Sequence, residues 1–101
     1  MKKILFIVNP KAGLKKNKNF IDDAVWVFEE AGYKVGIKYT KRRADGTNIA
    51  IKYGSEVDLV VCMGGDGTLN EVIQGLIEGN VKTPLGYIPA GSTNDFANSL
   101  G

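Results

Sequence analysis

Leu59-Val60-Val61-Cys62-Met63-Gly64-Gly65-Asp66-Gly67-Thr68-Leu69-Asn70-Glu71-Val72-Ile73-Gln74-Gly75 is the stretch whose reading decides the fold. It opens with an apolar run, Leu59 to Met63, of strand length. That run passes straight into Gly64-Gly65-Asp66-Gly67. Beyond the glycines, Leu69, Val72, Ile73, Leu76 and Ile77 recur at i, i+3, i+4, i+7 and i+8, the spacing of one buried helical stripe. Strand, glycine turn and helix in that order aim free backbone N–H groups at an anion such as phosphate. Asp66 is the exception, because a carboxylate there repels phosphate. Three roles reconcile it with the turn: bridging through a metal ion, gripping a sugar hydroxyl, or accepting a proton.

Outward from this stretch, the same alternation repeats. Ile4 to Val8 is a continuous apolar run, the pattern of a strand buried on both faces of a parallel sheet. It ends in Asn9-Pro10-Lys11-Ala12-Gly13, a turn signal. Phe20, Ile21, Ala24, Val27, Phe28 and Ala31 then predict a helical stripe that stops at Gly32, with Trp26 on the opposite, polar face. Tyr33 to Tyr39 alternates as a second, less buried strand. Thr40 to Asp45 forms a basic loop containing Lys41, Arg42 and Arg43. Asp45 is placed to cap a short helix reaching Tyr53, where Gly54 stops it. Val57 to Met63 is the third strand, and Pro84 to Ile88 a short fourth. The segment Pro89-Ala90-Gly91-Ser92-Thr93-Asn94-Asp95 follows, and a further helix begins at Asp95.

This order of alternating strands and helices predicts a three-layer α/β/α domain, with a parallel sheet of about four strands and right-handed crossovers. Ligands of such sheets bind outside the carboxyl ends of the strands. All four strand ends here are rich in glycine, hydroxyls or cations, which says more than any one of them alone.

Composition narrows the chemistry. With 101 residues, 44% hydrophobic and 24% charged, the chain is sized and composed as one globular domain. A net charge of +2 is too small to argue for a nucleic-acid partner. No apolar run reaches the ~18 residues of a membrane span. The single cysteine, Cys62, reads as core and allows no internal disulfide, which fits a reducing compartment. There is no histidine, so carboxylates, hydroxyls, Lys and Arg must carry any chemistry. The glycine turn is not a P-loop, which needs G-x-x-x-x-G-K-[ST]. It is not a dinucleotide fingerprint either, because Asn70 stands where the third glycine belongs. Lys15, Lys16 and Lys18 read as a solvated helix start. Trp26 is either a partly covered surface aromatic or a contact with another domain or subunit.

Taken together, Asn9-Pro10-Lys11-Ala12-Gly13, Gly64-Gly65-Asp66-Gly67-Thr68-Leu69-Asn70-Glu71-Val72 and Pro89-Ala90-Gly91-Ser92-Thr93-Asn94-Asp95-Phe96-Ala97 resemble the N-terminal catalytic domain of the diacylglycerol kinases and related lipid kinases. Sphingosine kinases belong to that group, and NAD kinases share the Gly-Gly-Asp-Gly-Thr turn. The resemblance spans the whole chain and implies an NAD kinase/diacylglycerol kinase-like fold. It implies that residues 1–101 are the nucleotide-binding domain of a lipid kinase, an N-terminal piece lacking a second, mostly β domain that carries the catalytic base and much of the magnesium and lipid site. By position it implies nucleotide contacts at Asn9, Pro10, Lys11, Ala12 and Gly13. It implies others at Thr40, at Gly64, Gly65, Asp66, Gly67, Thr68, Leu69, Asn70 and Glu71, and at Ser92. Asp66 is the catalytic candidate, acting through magnesium directly or through water. No dedicated metal-ligand set is assigned within the chain.

The implied substrates are ATP and a lipid alcohol such as diacylglycerol. The implied setting is cytoplasmic with peripheral membrane contact, and a homodimer is among the assemblies considered. One departure stands out: the family often has Gly-Asp-Ala after Thr40, whereas this chain has Ala44-Asp45-Gly46. Two rival readings remain. One is an NAD kinase, against which the Gly-Ser-Thr-Asn-Asp-Phe-Ala segment argues. The other is a catalytically silent nucleotide-binding module.

Overall fold

A computed structural model describes residues 1–10 and 14–89, with the side chains of residues 14–18 left aside. The chain runs β1 (Lys2–Val8), α1 (Leu14–Glu30), β2 (Tyr33–Tyr39), α2 (Asp45–Tyr53), a single 3-10 turn (Gly54–Glu56), β3 (Leu59–Gly64), α3 (Asp66–Glu78) and β4 (Leu85–Pro89). The helix expected from Asp95 lies outside the described residues. The four strands form one parallel sheet in the order β2-β1-β3-β4. Among the described residues no helix is long and apolar enough to cross a membrane.

The apolar runs explain that order. Side chains alternate across a sheet, so a strand apolar at every position needs cover on both sides. In β1, Ile4, Phe6 and Val8 pack with Val61, Met63 and Ile88 under α1, through Phe20, Ile21, Ala24, Val25 and Phe28. Leu5 and Ile7 face the other way, joining Val60, Cys62, Ala50 and Val72 under α2 and α3. Phe6 is fully buried and meets Phe28 edge-on, ring centroids 5.7 Å apart. Each such side chain contributes about 1.5–3 kcal/mol by leaving water. At the edge, β2 is covered on one face only: Val35 and Ile37 pack under α1 while Lys34 and Lys38 stay exposed. That is why it alternates and β1 does not.

Three expectations need correction. On α1 the packing stripe runs through Val25, not Val27, which is 54% exposed; Ala31 falls beyond the helix end. On α3, Ile73 and Ile77 are exposed, and the buried positions are Thr68, Val72 and Gly75. The reason is close approach: a Cβ on Gly75 would run into the carbonyl oxygen of Thr47 and stand 2.9 Å from the Ala50 Cβ. So α3 turns Gly75 onto α2, and that glycine serves helix–helix contact. The third strand starts at Leu59, because Asp58 is taken up in a reciprocal pair with Lys3, Asp58 N donating to Lys3 O (2.9 Å) and Lys3 N to Asp58 Oδ2 (2.7 Å).

Candidate active site

Parallel strands bring their carboxyl ends to one edge, and there the chain crosses from β3 into α3. Gly64 makes the crossing possible, since a Cβ there would lie 2.8 Å from the Thr68 Cβ. Gly65 and Gly67 face open space. The first intrahelical bond is Leu69 N to Gly65 O, 3.1 Å, so the N–H groups of Asp66, Gly67 and Thr68 precede any carbonyl the helix can offer them. Two contacts fix this turn. Asn9 Nδ2 donates to Thr68 Oγ1 at 3.0 Å, tying the end of β1 to α3. Tyr87 Oη donates to Gly64 O at 2.8 Å, tying in β4. Burial first, then the nearby Asp66 and Cys62 charges, raise the Tyr87 pKa, so its hydroxyl stays a donor. Asn9 N donates to Met63 O and Thr40 N to Val8 O, both 2.9 Å, which extends the ladder past the strand ends.

A cleft of about 300 Å³ opens here, lined by Asn9, Thr40, Lys41, Arg42, Arg43, Gly67, Thr68 and Glu71. Its floor holds two buried hydroxyl residues, Thr40 and Thr68, each 7% exposed. Its outer wall is the cationic loop. Asp45 shapes that wall: its Oδ2 accepts from Lys41 N (2.7 Å) and Arg42 N (2.9 Å). Those two backbone hydrogen bonds hold the Asp45 carboxyl below its ordinary pKa. Asp45 therefore ties back the loop before it and does not cap α2, where Ala44 holds the cap position at φ 72°. Glu71 Oε2 accepts from Ala44 N (3.0 Å) and Oε1 from Gly46 N (3.1 Å).

The expected site residues divide accordingly. Asn9, Thr40, Gly67, Thr68 and Glu71 meet around one cleft, and Gly64, Gly65 and Asp66 form the turn beside it. Pro10 adjoins Asn9; Leu69 is half-buried and Asn70 exposed in the first turns of α3. Lys11, Ala12, Gly13 and Ser92 lie outside the described residues. Sequence reasoning read Lys41–Arg43 as no more than a basic loop and did not place them among the site residues, yet they line the cleft; their place directly after a strand end was the available signal. Tyr87 carried no signal of its own.

Among the described residues no three of Asp, Glu and Cys cluster to enclose a metal ion. Magnesium, however, commonly sits between one or two carboxylates and substrate phosphates. Asp66, exposed in the first turn of α3 beside the free N–H groups, fits that donor set, whereas both Glu71 oxygens are already engaged by backbone.

The family model for the diacylglycerol kinase catalytic domain matches residues 3–101. A diacylglycerol kinase of Bacillus subtilis (strain 168) is 40% identical over 102 residues, covering all of this chain and 34% of the relative. One from Staphylococcus epidermidis (strain ATCC 12228) is 40% identical over 100 residues, 98% of this chain and 32% of the relative. The crystal structure of a diacylglycerol kinase from Bacillus anthracis str. Sterne superposes with a TM-score of 0.75 at 36% identity, covering 99% of this chain and 37% of that one. The chain spans about a third of the length of these relatives.

Proposed function

This chain belongs to the diacylglycerol kinase catalytic-domain family, and from that premise we propose that it is the nucleotide-binding part of an ATP-dependent lipid kinase. The reaction is transfer of the ATP γ-phosphate to a hydroxyl of diacylglycerol or a similar lipid alcohol, reached by peripheral contact with the membrane from the cytoplasmic side. The observation that carries this reading is the cleft itself, where a glycine turn with outward N–H groups faces three cations across two buried threonines.

Phosphoryl transfer asks a protein for positioning and charge neutralisation more than for covalent chemistry. The N–H groups opening α3, reinforced by the helix dipole, hold phosphate oxygens. Lys41, Arg42 and Arg43 balance phosphate charge from the opposite wall. Asn9 and Thr40 orient the nucleotide by hydrogen bonds, and Ser92 is assigned the same task. Asp66 would hold magnesium, which supplies charge neutralisation at the phosphates when bound. Deprotonating the lipid hydroxyl falls to a group outside residues 1–89. An NAD kinase shares the glycine turn, but it lacks the support of a family match over residues 3–101.

Asp66→Ala in the full-length protein is the test. Asp66 is exposed, so the variant keeps its melting temperature, while transfer from ATP to diacylglycerol drops by about a thousandfold or more, the scale of losing one transition-state electrostatic group. Near-normal turnover in a folded variant sinks the assignment. Running NAD as the alternative acceptor separates the two kinases.

A further inference from the structure

Glu71 is bound more elaborately than a nucleotide contact requires. Three donors from the start of α2 converge on it: Ala44 N on Oε2 (3.0 Å), Gly46 N on Oε1 (3.1 Å), and Thr47 Oγ1 on its carbonyl oxygen (2.7 Å). The first N–H groups of a helix ordinarily find a side chain at the cap position. Here that position is Ala44, which has no acceptor to offer. A carboxylate from a different helix supplies it, and its charge is favoured at the positive end of α2. On the other side, Asp45 Oδ2 accepts from Lys41 N and Arg42 N. Two carboxylates thus pin the loop through its backbone alone, and Lys41, Arg42 and Arg43 line the cleft opposite Gly67 and Thr68.

We propose that Glu71 is a positioning residue, which sets nucleotide affinity by holding the cationic loop against the glycine turn and touches neither the nucleotide nor magnesium. This rests on the kinase reading of the cleft. A carboxylate standing free beside phosphates would repel them, and one with both oxygens engaged by backbone N–H groups has little left for a metal ion. The geometry gives it a third task.

Glu71→Gln keeps size and helix propensity, but its amide turns an NH2 toward one of the two N–H donors, so at least one bond is lost. In the full-length kinase the KM for ATP is expected to rise about tenfold, the scale of one charge-assisted hydrogen bond. The loss appears in that KM and not in kcat, in the KM for diacylglycerol, or in the magnesium concentration giving half-activation. Arg43→Ala also raises the KM for ATP, and the double variant falls short of the product of the two effects, because both act through one loop. An unchanged KM for ATP, a shifted magnesium requirement, or fully multiplicative effects would each overturn the proposal. Should the variant not fold, hydrogen exchange on the wild type decides. The Ala44 and Gly46 amides are expected to be protected about tenfold or more over open loop amides, in the range of local opening, and unprotected exchange overturns it. If the wild type fails to phosphorylate diacylglycerol, the kinase reading alone is at fault. Calorimetric binding of magnesium-ATP then replaces KM as the readout for Glu71.

Discussion

Ala44 holds φ 72°, a left-handed conformation that costs a residue with a Cβ about 1–2 kcal/mol. The nearby glycine is Gly46, where a Cβ would stand 3.1 Å from both the Cβ and Oε1 of Glu71. The sequence shows the departure from Gly-Asp-Ala but not its consequence, because only the backbone angle reveals which of the two positions is strained. Ala44→Gly relieves the strain and raises unfolded-chain entropy, for a net gain of about 0.5 kcal/mol or more in urea unfolding. A measured loss of stability would contradict that account. Cys62 was legible as core from its apolar neighbours, and burial, with a smaller push from the Glu71 charge, raises its thiol to about 12. An unfolded thiol ionises near pH 8.5. The folded state therefore binds the extra proton above that pH, and stability falls as pH rises, by about 1.4 kcal/mol per unit between roughly pH 9 and 12. At pH 8 a thiol-specific reagent should react with Cys62 only after denaturation; fast stoichiometric reaction in native buffer would refute the burial argument.

The helices show why element identity is easier to read than element orientation. Periodicity located α3 from its large apolar residues, yet the face it turns to α2 is set by Gly75, whose lack of a side chain lets α2 come close. Hydrophobicity patterns give small residues little weight, so they place Ile73 and Ile77 on the buried side, where the structure exposes both. Gly75→Ala puts a methyl group against the Thr47 carbonyl and the Ala50 Cβ, with backbone on one side and no flexible tip to yield. Such overpacking costs about 1–3 kcal/mol. Because α2 and α3 are the two helices joined at the cleft wall, the same substitution is expected to weaken ATP binding as well. Stability and nucleotide affinity measured together check this, and a variant as stable as the parent would show that the interface can spread freely.

At the level of the whole molecule, the alternation of strands and helices was enough to predict the parallel sheet and the edge at which the cleft opens. Strand order was not: nothing local states that β1 lies between β2 and β3, since that follows from the first crossover running from β1 to β2 and the second returning from β2 past β1 to its other side. The cleft depends on that arrangement, as Asn9, Thr40 and Thr68 come from three different segments. A ligand bridging them stabilises the fold, so magnesium-ATP at a hundred times its Kd should add about 2.7 kcal/mol to unfolding. The exposed Lys41, Arg42 and Arg43 are open to screening, so the gain at fixed ATP should shrink as salt rises. A thermal shift independent of ionic strength would separate the cations from binding. The central place of β1 also governs how the chain emerges from the ribosome. Of the four strands β1 can pair with β2 once residue 39 is out, but its other edge finds no strand partner until β3 is complete at Gly64, and the apolar side chains Leu5 and Ile7 have only α2 to cover them before then. During synthesis the apolar stretch of β1 is therefore left half-covered until β3 is out, and the nascent chain is prone to stray pairing while residues 40 to 64 are being added.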